Sequence, residues 1–372
     1  MTSASALPNT SKAAPARLDA LTGVRGLSAW VIVLYHIRGA MRADVPAPVI
    51  DVLAKGYLAV DLFFVLSGFV LWISWGPRFA KHGRAAVLPF VRKRIARVWP
   101  LHAAILLATV GFALVLEATG RPLPPSYRWS ELLLHVVLVQ NWGFTPDLGW
   151  NDPSWSISTE MAAYLAFAAV LTIVRPRDKG RAPLLPLLAL PLLALLLDGF
   201  FAWRGHALLG DDIAGNGLVR CVVQFAMGVA VAMLWQRLPA RLVATGGALL
   251  LVAALVAWGM GARETLAVPL AFAGLVGLLA ATSDAASNPL SSRPLVWLGD
   301  ISYSTYLVHF LGWTLFKIVF VSDPAAVPLP LVALFLAATL AGSVILYRWV
   351  EVPGRRMFEV VARRERSRAA AH

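Results

Sequence analysis

The chain has 372 residues, 59% of them hydrophobic and only 14% charged, and its mean hydropathy is +0.70. Soluble domains carry about 25% charged residues, so a water-soluble fold is excluded and the composition predicts an all-α polytopic membrane protein. The net charge of +13 comes mostly from arginines between apolar runs, which fits loop orientation by the positive-inside rule and not nucleic-acid binding.

Residues 1–19 are polar and small, without the apolar region and cleavage site of a signal peptide. They read as a cytoplasmic N-terminal tail, followed by an integral membrane domain over 20–350 and a basic cytoplasmic tail over 351–372. A hydrocarbon core of about 30 Å needs about 20 helical residues. Spans are expected at 20–38, 57–76, 100–117, 155–174, 183–202, 217–236, 242–259, 265–282, 295–320 and 329–349, about ten in all. The loop at 77–100 holds seven Lys/Arg and no acid, and RPRDKGR at 175–181 holds four against one Asp. With QRLPAR (236–241) and the tail from Arg348, these segments should be cytoplasmic, which puts both termini inside. ELLLHVVLVQNW (131–142) is apolar but short and contains His135. A full crossing there would place 175–181 outside, so it reads as a re-entrant or partly inserted helix on the outer side. The one cysteine, Cys221, excludes an internal disulfide and any multi-cysteine metal site, and reads as a packing residue.

Ionisable groups inside spanning helices are costly and are functional candidates by default. In RGLSAWVIVLYH (25–36), Arg25 and His36 are eleven positions apart, about three helical turns plus roughly 20°, so they share a face about 16 Å apart along the axis. A snorkelling arginine and a hydrogen-bonded structural histidine are the bland alternative. GYLAVDLFFVLSGFVL (56–71) brings Asp61 to a depth comparable to His36, with Ser67 deeper. An Asp beside a buried His fixes its tautomer and stabilises the imidazolium; a capping or packing role is the alternative. FVRKRIARVWPLH (90–102) carries Arg92, Lys93, Arg94 and Arg97, with Arg94 and Arg97 on one helical face. Forked guanidiniums suit phosphate groups, and they equally suit anionic headgroups. NDPSWSISTE (151–160) offers Asp152 and Ser154 as caps and sets Glu160 inside a span. LGDISYSTYLVHF (298–310) aligns Asp300, Tyr303 and Tyr306 on one face, extended by His309.

In their order and wording these motifs resemble acyltransferase family 3, mainly bacterial membrane O-acyltransferases. The resemblance rests on RLDALTGVRGLSAWVIVLYH with its Arg-x10-His pair, on GYLAVDLFFVLSGFVL, on the Arg-x-x-Arg pair at Arg94 and Arg97, on SWSISTE, and on LGDISYSTYLVH followed by EVPGRR. It covers about 20–356. It implies an acyl-CoA donor, commonly acetyl-CoA, a hydroxyl acceptor, often on a cell-surface sugar or glycan, and a place in the bacterial inner membrane. On that reading Arg25, Arg92, Arg94 and Arg97 hold the CoA phosphates. His36 is general base or covalent acyl carrier, oriented by Asp61, and Glu160 positions the acceptor or relays a proton. Ser67, Trp155, Ser156, Tyr303, Tyr306 and His309 are candidates to line the acceptor path. No metal is required. Some relatives carry an added extracytoplasmic esterase-like domain; here either the membrane domain transfers directly or a separate extracytoplasmic partner completes the step. A proton-coupled carrier of a glycan or acylated metabolite, and a catalytically silent scaffold, are the competing classes, and the basic cluster near the Arg25–His36 stripe favours the enzyme.

Overall fold

The computed structural model describes residues 17–174, 184–285 and 288–358; the expected tail segments 1–16 and 359–372 and the basic RPRDKGR segment lie outside the described residues. Backbone amides in hydrocarbon have no water to bond, so each apolar run closes its hydrogen bonds internally as a helix. The helices are α1 (Asp19–Ile37), α2 (Ala47–Ala54), α3 (Ala59–His82), α4 (Val87–Ala118), α5 (Leu132–Val136), α6 (Ser154–Val174), α7 (Leu184–Trp203), α8 (Ile213–Arg237), α9 (Ala240–Gly259), α10 (Glu264–Thr282), α11 (Arg293–Phe320) and α12 (Leu329–Leu346). All except the short α2 and α5 correspond in order to the expected spans. Among the described residues, 8 helical stretches are long and apolar enough to cross a membrane, one of them the continuous Ala47–Ala118. The helix α11, diluted by Asp300, Tyr303, Tyr306 and His309, is not among these.

One expectation needs correction, and another is met by a helix shorter than the segment. The expected basic loop at 77–100 is mostly helix. The helix α3 continues through Pro77 to His82, Gly83 turns the chain at φ +52°, and α4 already begins at Val87, so Arg92–Arg97 ride on a helix. In 131–142, only α5 is α-helical. Leu138 adopts a left-handed φ of +59°, which stops the helix, and the chain then folds back onto α6 and α8. Gln140 Nε2 donates to the Ser154 carbonyl, Trp142 Nε1 to the Ser158 carbonyl and Asn141 Nδ2 to the Ile213 carbonyl. Apolar character alone did not show that these three polar and aromatic groups would tie the segment down as irregular chain.

Successive long helices alternate in direction. The face on which α1 begins gathers Gly23 against Leu290 and Trp72 Nε1 on Gln236 (3.0 Å). The opposite face gathers Lys55 on Glu264 (2.8 Å) and Arg263 on Asp198 (2.6 Å). We call them the amino-terminal face and the opposite face.

Helices in lipid gain little from apolar burial against one another, so close approach at small residues drives their packing. The α1–α11 pair crosses at Gly26 and Gly299. A Cβ on Gly26 would sit 2.6 Å from the Gly299 nitrogen, and one on Gly299 would overlap the Thr22 carbonyl. The α3–α8 pair crosses at Gly68 and Gly228, where added Cβ atoms would overlap the Phe225 and Val65 carbonyls. Around these crossings Trp75, Phe79, Phe90, Phe167 and Phe225 interlock α3, α4, α6 and α8 through edge-to-face and tilted ring contacts, with centroids 5.1–6.4 Å apart.

Candidate active site

The tight α1–α11 crossing has a direct chemical result. Arg25 lies close enough to α11 for Nη2 to donate to the Gly299 carbonyl at 2.7 Å and for Nε to reach Ser302 Oγ at 3.1 Å. Its guanidinium borders a cavity of about 420 Å³ between α1, α3, α4, α6 and α11, whose polar lining includes Arg17, Arg94, Arg97, Ser67, Glu160 and Tyr303. Arg97 ion-pairs with Glu351 and stands 5.5 Å from the Tyr303 ring centroid, while Tyr303 donates to the Val98 carbonyl at 2.6 Å. Arg94 stands 5.8 Å from the Tyr164 ring, and its buried Nε has no hydrogen-bond partner among the described residues. Glu160 receives the Ser67 hydroxyl. The cavity thus presents several guanidiniums around one carboxylate, an excess of positive charge suited to a polyanion.

His36 is not in the lining of this cavity. Tyr306 forms part of its wall and donates to the Pro153 carbonyl at 2.9 Å, with Ser156 Oγ at 2.7 Å from the same hydroxyl. Behind Tyr306 stands the fully buried His309, ring centroids 6.1 Å apart. His309 Nε2 is 3.2 Å from His36 Nδ1. The tautomers follow from the carbonyls. His309 Nδ1 faces the Thr305 oxygen at 3.2 Å and His36 Nδ1 faces the Ile32 oxygen at 2.9 Å. A carbonyl only accepts, so both Nδ1 atoms carry hydrogen. The single His36 Nδ1 hydrogen is then shared between the Ile32 carbonyl and His309 Nε2, and His36 Nε2 keeps its lone pair with no hydrogen-bond partner among the described residues. An imidazole so fixed can take a proton at Nε2 and pass part of the new charge to its neighbour.

Asp61 does not pair with His36. It is fully buried and receives Arg220 through two donors, Nε at 2.7 Å and Nη2 at 2.5 Å, together with the Gln224 amide. A carboxylate in hydrocarbon is retained by a charged partner, and the bidentate guanidinium of α8 supplies it. Arg220 also donates to the Leu209 carbonyl at 2.8 Å. The Leu209 nitrogen donates to Glu264, which also receives Lys55 and Tyr57. Trp155, expected on the acceptor path, packs beside this pair, its ring centroid 5.4 Å from the Arg220 guanidinium. Glu160 sits among the cavity arginines, and Arg92 lies outside that lining.

A family model described as an acyltransferase domain matches residues 18–348. The chain belongs to this acyltransferase family. The acyltransferase is 30% identical over 322 residues to Acyltransferase MdmB of Streptomyces mycarofaciens, covering 79% of each. It is 21% identical over 369 residues to O-acetyltransferase OatA of Staphylococcus aureus, covering 92% of this chain but 58% of OatA. A shorter match, 34% over 116 residues, links it to Protein 2 in picA locus of Rhizobium radiobacter, with 31% of this chain and 55% of that protein covered. No solved structure matches it.

Sequence reasoning missed several groups of this membrane acyltransferase. Arg220 and Gln224 stand at i and i+4 in an otherwise apolar span, a pairing that marks them in the sequence. Glu351, in EVPGRR, is 1% exposed and gathers Arg97, Arg355 and Ser304 (2.8 Å) where Tyr347–Glu351 widens into a π-helix. Such one-turn widenings recur at functional sites.

Proposed function

We propose that this membrane acyltransferase carries an acetyl group from acetyl-CoA, bound at the amino-terminal face, to a hydroxyl of a sugar or glycan at the opposite face. The observation that carries this reading is the arrangement along α1: an arginine-lined cavity at Arg25, and about 16 Å further along a histidine whose Nε2 lone pair is free. The basic segments QRLPAR and Arg78–Arg97 lie toward the amino-terminal face, which the positive-inside rule makes cytoplasmic, so both termini face the donor pool of a bacterial inner membrane.

In the proposed reaction Arg25, Arg94 and Arg97 hold the CoA phosphates. The pantetheine arm passes Tyr306 once that side chain leaves its Pro153–Ser156 seat. The acceptor oxygen attacks the thioester carbonyl carbon while His36 Nε2 removes its proton. The C–S bond breaks, the CoA sulfur takes the proton back from His36, and the products are the ester and CoA thiol. His309 Nε2, sharing the His36 Nδ1–H with the Ile32 carbonyl, supports the transient imidazolium. A covalent variant places the acyl group on His36 Nε2 before the acceptor receives it. Glu160 neutralises part of the cavity charge, and the integral domain over 20–350 carries the whole reaction.

The test is CoA release from acetyl-CoA labelled on the acetyl group, by protein in liposomes with a candidate glycan. His36→Ala should abolish release while leaving acetyl-CoA binding intact. Label retained on wild-type protein selects the covalent variant, and release independent of His36 overturns the assignment. A wild type that moves glycan without consuming acetyl-CoA is a carrier.

A further inference from the structure

A second and larger cavity, about 1130 Å³, lies away from the reacting groups, between α3, α6 and α8 and closed in part by α7. Its walls are apolar: Ala163, Phe167 and Val170 from α6, and Val222, Phe225 and Ala226 from α8. Its polar lining groups are confined to the amino-terminal face. There Lys81 ends α3, and Gln236 and Arg237 end α8. Gln236 accepts from Trp72 Nε1 at 3.0 Å, which fixes the rim. Lys81 and Arg237 are exposed, and neither has an ion-pair partner among the described residues.

The dimensions match one leaflet. On α8 the lining runs from Val222 to Arg237, about 22 Å at 1.5 Å per residue. Half a bilayer with its headgroups is about 20–22 Å. The two basic residues therefore sit at phosphate depth, and the apolar walls run to the depth of acyl-chain ends.

We propose that this cavity is a binding site for an anionic diacyl phospholipid, its phosphate between Lys81 and Arg237 and an acyl chain along Phe167 and Phe225. Basic pockets between spanning helices recognise such headgroups, and the surrounding leaflet supplies the ligand at high concentration. The site shares no side chain with the Arg25–His36 machinery, so it stands whether or not the acetyl-CoA reading does.

The test uses full-length protein in detergent, loaded with dioleoyl-phosphatidylglycerol, dioleoyl-phosphatidylcholine or undecaprenyl phosphate, with retained lipid counted by native mass spectrometry. Wild type should retain one phosphatidylglycerol in preference to phosphatidylcholine. Lys81→Ala/Arg237→Ala should lower phosphatidylglycerol retention about 30-fold, two basic contacts at about 1 kcal/mol each. Ala226→Trp, which fills the cavity, should lower retention of both phospholipids. Because Lys81 and Arg237 are exposed, the double variant should keep the lipid-free melting temperature of wild type, so its result stands even if Ala226→Trp misfolds. Equal retention of the two phospholipids by wild type, unchanged phosphatidylglycerol retention in the double variant, or displacement of phosphatidylglycerol by equimolar undecaprenyl phosphate would each overturn the proposal.

Discussion

His309 meets His36 across the α1–α11 interface with its Nε2 3.2 Å from the partner's Nδ1. The Ile32 carbonyl fixes the hydrogen on His36 Nδ1, His309 Nε2 takes a share of it, and the lone pair left on His36 lies on the far side of its ring. If His309 works by orienting the base, His309→Ala should lower kcat about 10- to 100-fold, less than the ~10²–10⁴ that a general base itself contributes. KM for acetyl-CoA should not move. His309→Gln, whose amide oxygen can accept from His36, should recover part of the loss. Steady-state CoA release measures all three.

Asp61 and Arg220 form a buried ion pair between α3 and α8, so breaking it should act on folding. Asp61→Ala leaves an unpaired guanidinium in the interior and is expected to cost about 3–5 kcal/mol. Asp61→Leu/Arg220→Met, which removes both charges, should recover most of the thermal stability. It should also recover CoA release if the pair only braces the bundle. Melting curves and turnover of the double variant separate bracing from catalysis.

Arg94 and Arg97 line one cavity but stand in different company. Arg97 is held by Glu351, whereas no ion-pair partner of Arg94 occurs among the described residues. Arg94→Ala should raise KM for acetyl-CoA about 10- to 100-fold, the worth of one charged hydrogen bond at about 1.5–3 kcal/mol, with little change in melting temperature. Arg97→Ala should raise KM and also lower the melting temperature, because Glu351 stays buried with a weakened set of partners.

Asp152, in the chain leading into α6, makes no side-chain hydrogen bond among the described residues, and burial pushes its carboxyl up from 3.8 to about 6. The folded protein therefore holds this proton more tightly than the unfolded chain does. That stabilisation is fully present below the unfolded pKa and is lost as pH rises through about 6. Asp152→Asn has no charge to bury, so above about pH 7 it should melt a few degrees higher than wild type. The gap should close below about pH 4. A melting series in detergent across that range reads the sign directly.

The spans were legible because apolar runs of bilayer length admit one backbone solution, and their expected ends fall close to the helix ends at nearly every boundary. The shared face of Arg25 and His36 was legible for the same reason, since it is a local property of one helix. The partner of Asp61 was not. Asp61 and Arg220 are separated by 159 positions, and nothing in the spacing of either helix says that α8, and not α1, supplies the countercharge. The His36–His309 contact was missed in the same way, although both residues were singled out. The extent of α4 was hidden by its composition: charge in the first turns of a long helix looks like a loop to a hydropathy argument.

The seat of Tyr306 also has an electrical consequence. On one side of its ring are the guanidiniums and Glu160; on the other are two imidazoles that can relay protons. A continuous file of water between those compartments would short-circuit the gradient of any energised membrane. With the hydroxyl tied to Pro153 and Ser156, the aromatic ring stands between the two sets of groups. In the proposed reaction the same side chain yields to the pantetheine arm, and a smaller residue there should leak protons before any turnover is lost.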